Sequence, residues 1–127
     1  MDAAQALADL TEISSQIEAA VLTGSDGSVL ASTFSDVSRG ERVAAFARQL
    51  LSSAEEVRSD LGREELVQLE AATPAGSVFV VRAADRVVAA VTGSQPTVGL
   101  VFYDLKTCLR LLAKEEEQTT GEAADDA

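Results

Sequence analysis

Ala19-Ala20-Val21-Leu22-Thr23-Gly24-Ser25-Asp26-Gly27-Ser28-Val29-Leu30-Ala31-Ser32 is the stretch whose reading decides the fold. Two short runs of strand-favouring residues flank a polar centre, and Asp26-Gly27 supplies the positive backbone angle that a tight hairpin demands. Two adjacent antiparallel strands are therefore predicted. Upstream, residues 2–17 read as a helix, with Asp2 as its cap, Gln5 three places on, and Ala6, Leu10, Ile13 and Ile17 on one face. Downstream, Ser38-Arg39-Gly40-Glu41 has the pattern of a capping box and opens a long helix to about Leu61, where Gly62 is placed as its stop. Three further strand-like runs follow, Glu65–Ala71, Val78–Arg82 and Val87–Thr92, joined by connectors short enough for hairpins. A last helix spans about Pro96 to Lys114, with Val98, Phe102, Leu105, Leu109 and Leu112 on one face. The order αββαβββα, with its only long crossover through the middle helix, predicts an α+β fold with one five-stranded antiparallel sheet. The two terminal helices are expected on one face and the 39–61 helix on the other.

With 127 residues the chain suits one domain. Ten basic residues against 21 acidic give a net charge of −11, which repels nucleic acid and anionic membrane surfaces, so neither is expected as a partner. Residues 115–127 hold six acids and no base, leaving −5 on residues 1–114. That division predicts a folded domain over 1–114 and an acidic, disordered tail over 115–127. No apolar run reaches the roughly 18 residues that span a bilayer, and Met1-Asp2 opens without a basic leader. With Cys108 as the lone cysteine, no internal disulfide can form. A cytoplasmic location is the expectation. Eight arginines against two lysines, with abundant alanine, suit a GC-rich bacterial source.

The chain has no histidine, which removes Ser-His-Asp and Cys-His pairs and every His-containing zinc site. No glycine precedes a lysine and no two glycines are separated by a single residue, so neither a Walker A loop nor a dinucleotide fingerprint is present. The pairs Glu55/Glu56 and Glu64/Glu65 read as solvated surface, Cys108 as a small core residue, and Arg82 and Arg86 as exposed residues flanking the last hairpin. No catalytic residue, metal site or cofactor is assigned, and the expectation is that the protein is not an enzyme.

The long helix is the most informative element. Val43, Phe46, Ala47, Leu50, Ala54, Val57 and Leu61 fill one stripe about 100° wide, and Leu51 and Ala44 widen it on one flank. A monomer exposing that flank would carry a sticky patch, which self-association would cover; the plainer reading is one singly exposed leucine. The first reading turns Leu51 and Ala44 to a partner and Phe46, Leu50 and Val57 to the sheet.

The sequence resembles the Roadblock/LC7 family over about residues 3–113. The likeness lies in a first helix ending at Ile17, in the hairpin with Asp26, Gly27, Val29 and Leu30, and in Val98-Gly99-Leu100-Val101 opening the last helix, where Gly99 and Leu100 match the family step. Thr97 stands where many members have asparagine. The resemblance implies strand order 2-1-5-4-3. It also implies a homodimer built from the long helix and the Glu65–Ala71 strand, with Val43, Ala44, Ala47, Leu51, Ala54, Arg58, Leu66, Gln68 and Glu70 at the interface. The function it implies is that of a non-catalytic module that binds and regulates a Ras-like small GTPase or scaffolds a signalling complex. A small PAS-like or profilin-like sensory domain holding a ligand is the alternative of a different class.

Overall fold

The computed structural model describes residues 2–57 and 67–125, with 115–125 described by their backbone alone. Its elements are α1 (Ala3–Ile13), β1 (Ile17–Thr23), β2 (Val29–Ser32), α2 (Val37–Val57), β3 (Gln68–Thr73), β4 (Gly76–Ala83), β5 (Arg86–Thr92) and α3 (Val98–Asp125). The five strands form one antiparallel sheet in the order β2-β1-β5-β4-β3, as expected.

Strand alternation sends side chains to two separate cores. On one face Ala20, Leu22, Phe79, Val81, Val88 and Ala90 pack under α1 and α3, which contribute Leu7, Leu10, Val101, Leu105 and Leu112. Phe79 meets Phe102 edge-on at 5.0 Å between ring centroids. On the other face Val21, Val80, Val87 and Ala89 receive Ala44, Ala47 and Leu51 of α2. The expected division of helices between the faces is the observed one.

The element ends depart from the sequence reading where a closer polar group or a strand partner wins. Asp2 does cap α1, accepting from the Gln5 amide at 2.8 Å, but the helix stops at Ile13 rather than Ile17. The Ser14 amide still bonds the Leu10 carbonyl, after which the chain extends and Ile17 is buried as the first residue of β1, opposite Thr92. Ile17 therefore fits the apolar period of α1 yet earns its burial in the sheet. Ser38 is likewise not the cap of α2. The Asp36 carboxylate, two residues earlier, accepts from the Ser38 and Arg39 amides at 2.9 and 3.4 Å, so the helix begins at Val37. Leu61, Gly62 and the first two residues of the expected Glu65–Ala71 strand lie outside the described residues.

Gly27 adopts φ +85° in the first hairpin, and Asp26 accepts from the Ser28 hydroxyl and amide at 2.6 and 2.9 Å. The Ser28 hydroxyl, ahead of its amide, holds the Asp26 carboxyl below the ordinary aspartate range. In the second hairpin Thr73 pairs with Gly76 across Pro74-Ala75. A Cβ on Gly76 would sit 2.3 Å from the Thr92 carbonyl oxygen, a backbone atom of the sheet that cannot swing aside. Gly76→Ala should therefore cost about 2 kcal/mol or more by overpacking, measured as a fall in the urea midpoint.

The carbonyl of Thr97 accepts from the Leu100 and Val101 amides to start α3, while its own amide donates to the Gln16 side chain. This helix continues through Asp125, into the acidic segment that begins at Glu115. Glutamate, glutamine and alanine in that segment are good helix formers, and continuing an existing helix avoids a new nucleation step.

Candidate interaction surface

The position of α2 on its sheet decides which of its side chains face outward. Gly40, Ala44, Ala47 and Leu51 are the buried residues, spaced i, i+4, i+7 and i+11. Three of these four are small, and they bring the helix axis close to the branched side chains of Val21, Val80 and Val87. The approach is tight at Gly40, where a Cβ would stand 2.7 Å from the Ser32 hydroxyl.

Two polar ties lock the same rotation. Arg48 reaches past the helix to the first hairpin, donating to the Thr23 hydroxyl and the Gly24 carbonyl. One turn beyond Leu51, Glu55 pairs with Arg82 of β4. Gly40, Ala44, Arg48, Leu51 and Glu55 thus share one side of the helix.

The outward side carries the larger apolar residues. Phe46 is 46% exposed and Val57 74%, with Leu50 and Ala54 half-buried along the same row, while Val43, also half-buried, packs against the core beneath the helix. This reverses the expectation that Phe46, Leu50 and Val57 face the sheet and that Ala44 and Leu51 face a partner. Ala44, Ala47 and Leu51 are all buried within the single chain. The physical reason is steric: a sheet surface of valines accepts a close helix only through small residues, so bulk is displaced to the outside. Helical periodicity finds the width of the apolar arc, whereas the small residues at positions 40, 44 and 47 were the signal for which part of it lies inward.

The sheet ends at β3, which among the described residues is hydrogen-bonded only to β4. Leu69 packs against the α2 side of the sheet, while Gln68 is half-buried and Glu70 exposed. Of the remaining expected interface residues, Arg58 and Leu66 lie outside the described residues. The residues of the family motif fall elsewhere. Asp26 and Gly27 make the hairpin tip, Val29 and Leu30 are exposed on the opposite edge strand β2, and Gly99 and Leu100 sit on the exposed first turn of α3.

The other sequence candidates resolve as follows. Arg82 is not a free-standing tip residue, because its side chain is mostly buried against Glu55, which is correspondingly more than solvated surface. Cys108 is buried, and its thiol is pushed up to about 11 by desolvation, with the negative charge of Asp9 adding to it. It should resist a thiol reagent at pH 8 in the native protein and react fully in urea, as timed absorbance of the released chromophore would record. Among the described residues no group of acids and cysteine is placed to hold a metal, and no helix is long and apolar enough to cross a membrane.

A five-stranded antiparallel sheet between one helix and a helix pair defines a profilin-like α+β domain. The Roadblock/LC7 domain model matches residues 4–92, and the chain belongs to the Roadblock/LC7 family. Among solved structures it is similar to a Roadblock/LC7 domain from Streptomyces avermitilis, with TM-score 0.81 and 18% identity over 92% of this chain and 99% of that one. It is also similar to MglB of Myxococcus xanthus, with TM-score 0.76 and 15% identity over 90% and 86% of the two chains. Profilin II of Acanthamoeba castellanii shares the fold at TM-score 0.62 and 14% identity, covering 89% and 98%. Comparison with curated protein sequences gave no significant match.

Proposed function

We propose that this protein is a non-catalytic, dimerising interaction module that binds and regulates a Ras-like small GTPase or scaffolds a signalling complex. The observation that carries this reading is the row of Phe46, Leu50, Ala54 and Val57 that α2 does not bury in the core beneath it, in a fold whose sheet ends at β3. An exposed apolar row on a helix and the end strand of a sheet give a second copy two things to cover at once, an apolar patch and a hydrogen-bonding edge. Pairing of two β3 edges, with Gln68 and Glu70 near the seam and the two α2 helices packed together, would make one continuous sheet. The interface is thus the one the resemblance implies, with Phe46, Leu50 and Val57 taking the places of Ala44, Ala47 and Leu51.

The GTPase part of the reading rests on the family and on the likeness to MglB, one solved form of which is described as a tetrameric arrangement. The net charge of −5 over residues 1–114 favours a basic patch on the partner, and complementarity of that kind raises the association rate and fades with added salt. The test is co-purification with a co-encoded small GTPase loaded with GTP or GDP, followed by its hydrolysis rate with and without this protein. Tighter binding to one nucleotide state supports a regulator, since only differential affinity shifts a switch. Equal binding with an unchanged rate reduces the role to a scaffold. Absence of binding to any co-encoded GTPase overturns the proposal in favour of the ligand-holding sensory alternative.

A further inference from the structure

On the sheet face opposite α2, the two terminal helices leave a groove between them. Its volume is about 110 Å³. Leu10 and Cys108 are buried at its floor, and its walls are Ile13 of α1, 76% exposed, and Leu111 of α3, 48% exposed. Asp9 and Asp104 stand among the lining residues, one from each helix, and among the described residues no lysine or arginine lines it. The α1 helix as a whole carries Asp9 and Glu12 without a base.

Size and charge together specify an occupant. A dry apolar cavity of about 150 Å³ accepts a benzene-sized body, so 110 Å³ suits one aliphatic side chain, and it falls well below the roughly 300 Å³ at which small-molecule sites begin. Two carboxylates flanking an apolar slot attract cations on either side of that side chain. The charge of Asp9 is also felt at the floor, where it adds to the effect of burial on the Cys108 thiol. Exposed Ile13 and Leu111 are the parts of the walls that a bound segment would cover.

We infer that the α1/α3 groove is a second docking surface, for a helical segment of a protein partner that presents a leucine-like side chain between lysines or arginines. It lies across the sheet from the α2 row and does not depend on the dimer or on a GTPase.

The test titrates the full isotope-labelled chain with a capped twelve-residue helical peptide carrying leucines at i, i+4 and i+7 among lysines. The expected result is a set of shifts centred on Ile13, Cys108 and Leu111, with affinity that declines as salt is added. Asp9→Asn with Asp104→Asn should weaken binding roughly tenfold while leaving the spectrum of the free protein folded. Changing the peptide leucines to alanine should weaken it at least as much. Shifts confined to the α2 row, equal binding of a peptide with glutamate for lysine, or indifference to the double asparagine variant would each overturn the inference. So would groove signals that move with protein concentration and stop moving in Ile13→Asp, because the occupant would then be a second copy of this chain.

Discussion

Phe46→Glu is expected to yield a folded monomer. In a single chain the Phe46 ring is already nearly half exposed, so a glutamate there disturbs little of the sheet-facing core. In the proposed dimer the same ring is covered, and a carboxylate in its place would be stripped of water without a cationic partner. Aromatic anchors at the centre of an interface commonly carry 2 kcal/mol or more, so the dissociation constant should rise by about thirtyfold at least, and further for the charge. Light scattering at micromolar concentration would report the mass, and circular dichroism would show the fold retained. A variant that keeps the dimer mass, or a wild-type protein that is monomeric under the same conditions, would remove α2 from the interface.

Leu51→Ala is expected to act on folding instead. Leu51 is 2% exposed and packs with Val21, Val80 and Ala89 in the core beneath α2. Removing its branched end leaves a cavity, and changes of this kind cost about 2–5 kcal/mol. That is a large part of the roughly 5–15 kcal/mol by which a domain is stable. Urea unfolding at matched protein concentration should show the loss, and the concentration must be matched because dimer formation itself adds apparent stability. Had Leu51 faced a partner, the variant would lower the mass of the assembly while the core stayed intact. The two substitutions thus separate the inward arc of α2 from its outward one.

Much of the architecture was legible in the chain because it depends on local signals. Asp26-Gly27 between two apolar runs fixes a hairpin wherever the rest of the chain goes, and Gly27 does adopt the positive φ that the turn requires. Leu105, Leu109 and Leu112 fall on one face of a helix and are all buried under the sheet with α1. Element ends were less legible. Asp36 outcompetes Ser38 as the cap of α2, and Ile17 leaves the apolar period of α1 to pair with Thr92, since each end is chosen by whichever group is nearest in space.

By itself the sequence determined the αββαβββα order, the two-sided sheet, the absence of histidine chemistry and the existence of an apolar arc on α2 too broad for one contact face. These follow from side-chain period and composition, which no later step can alter. Only the tertiary structure decided which half of that arc is inside. The periodicity of a helix gives the width of its apolar face but not its rotation. The rotation is set by the closeness that Gly40, Ala44 and Ala47 permit over the valines of the sheet, and by Arg48 and Glu55 reaching to Gly24 and Arg82. The two polar ties join residues 24 and 27 positions apart in the chain, and Phe46 and Val57 are left outward.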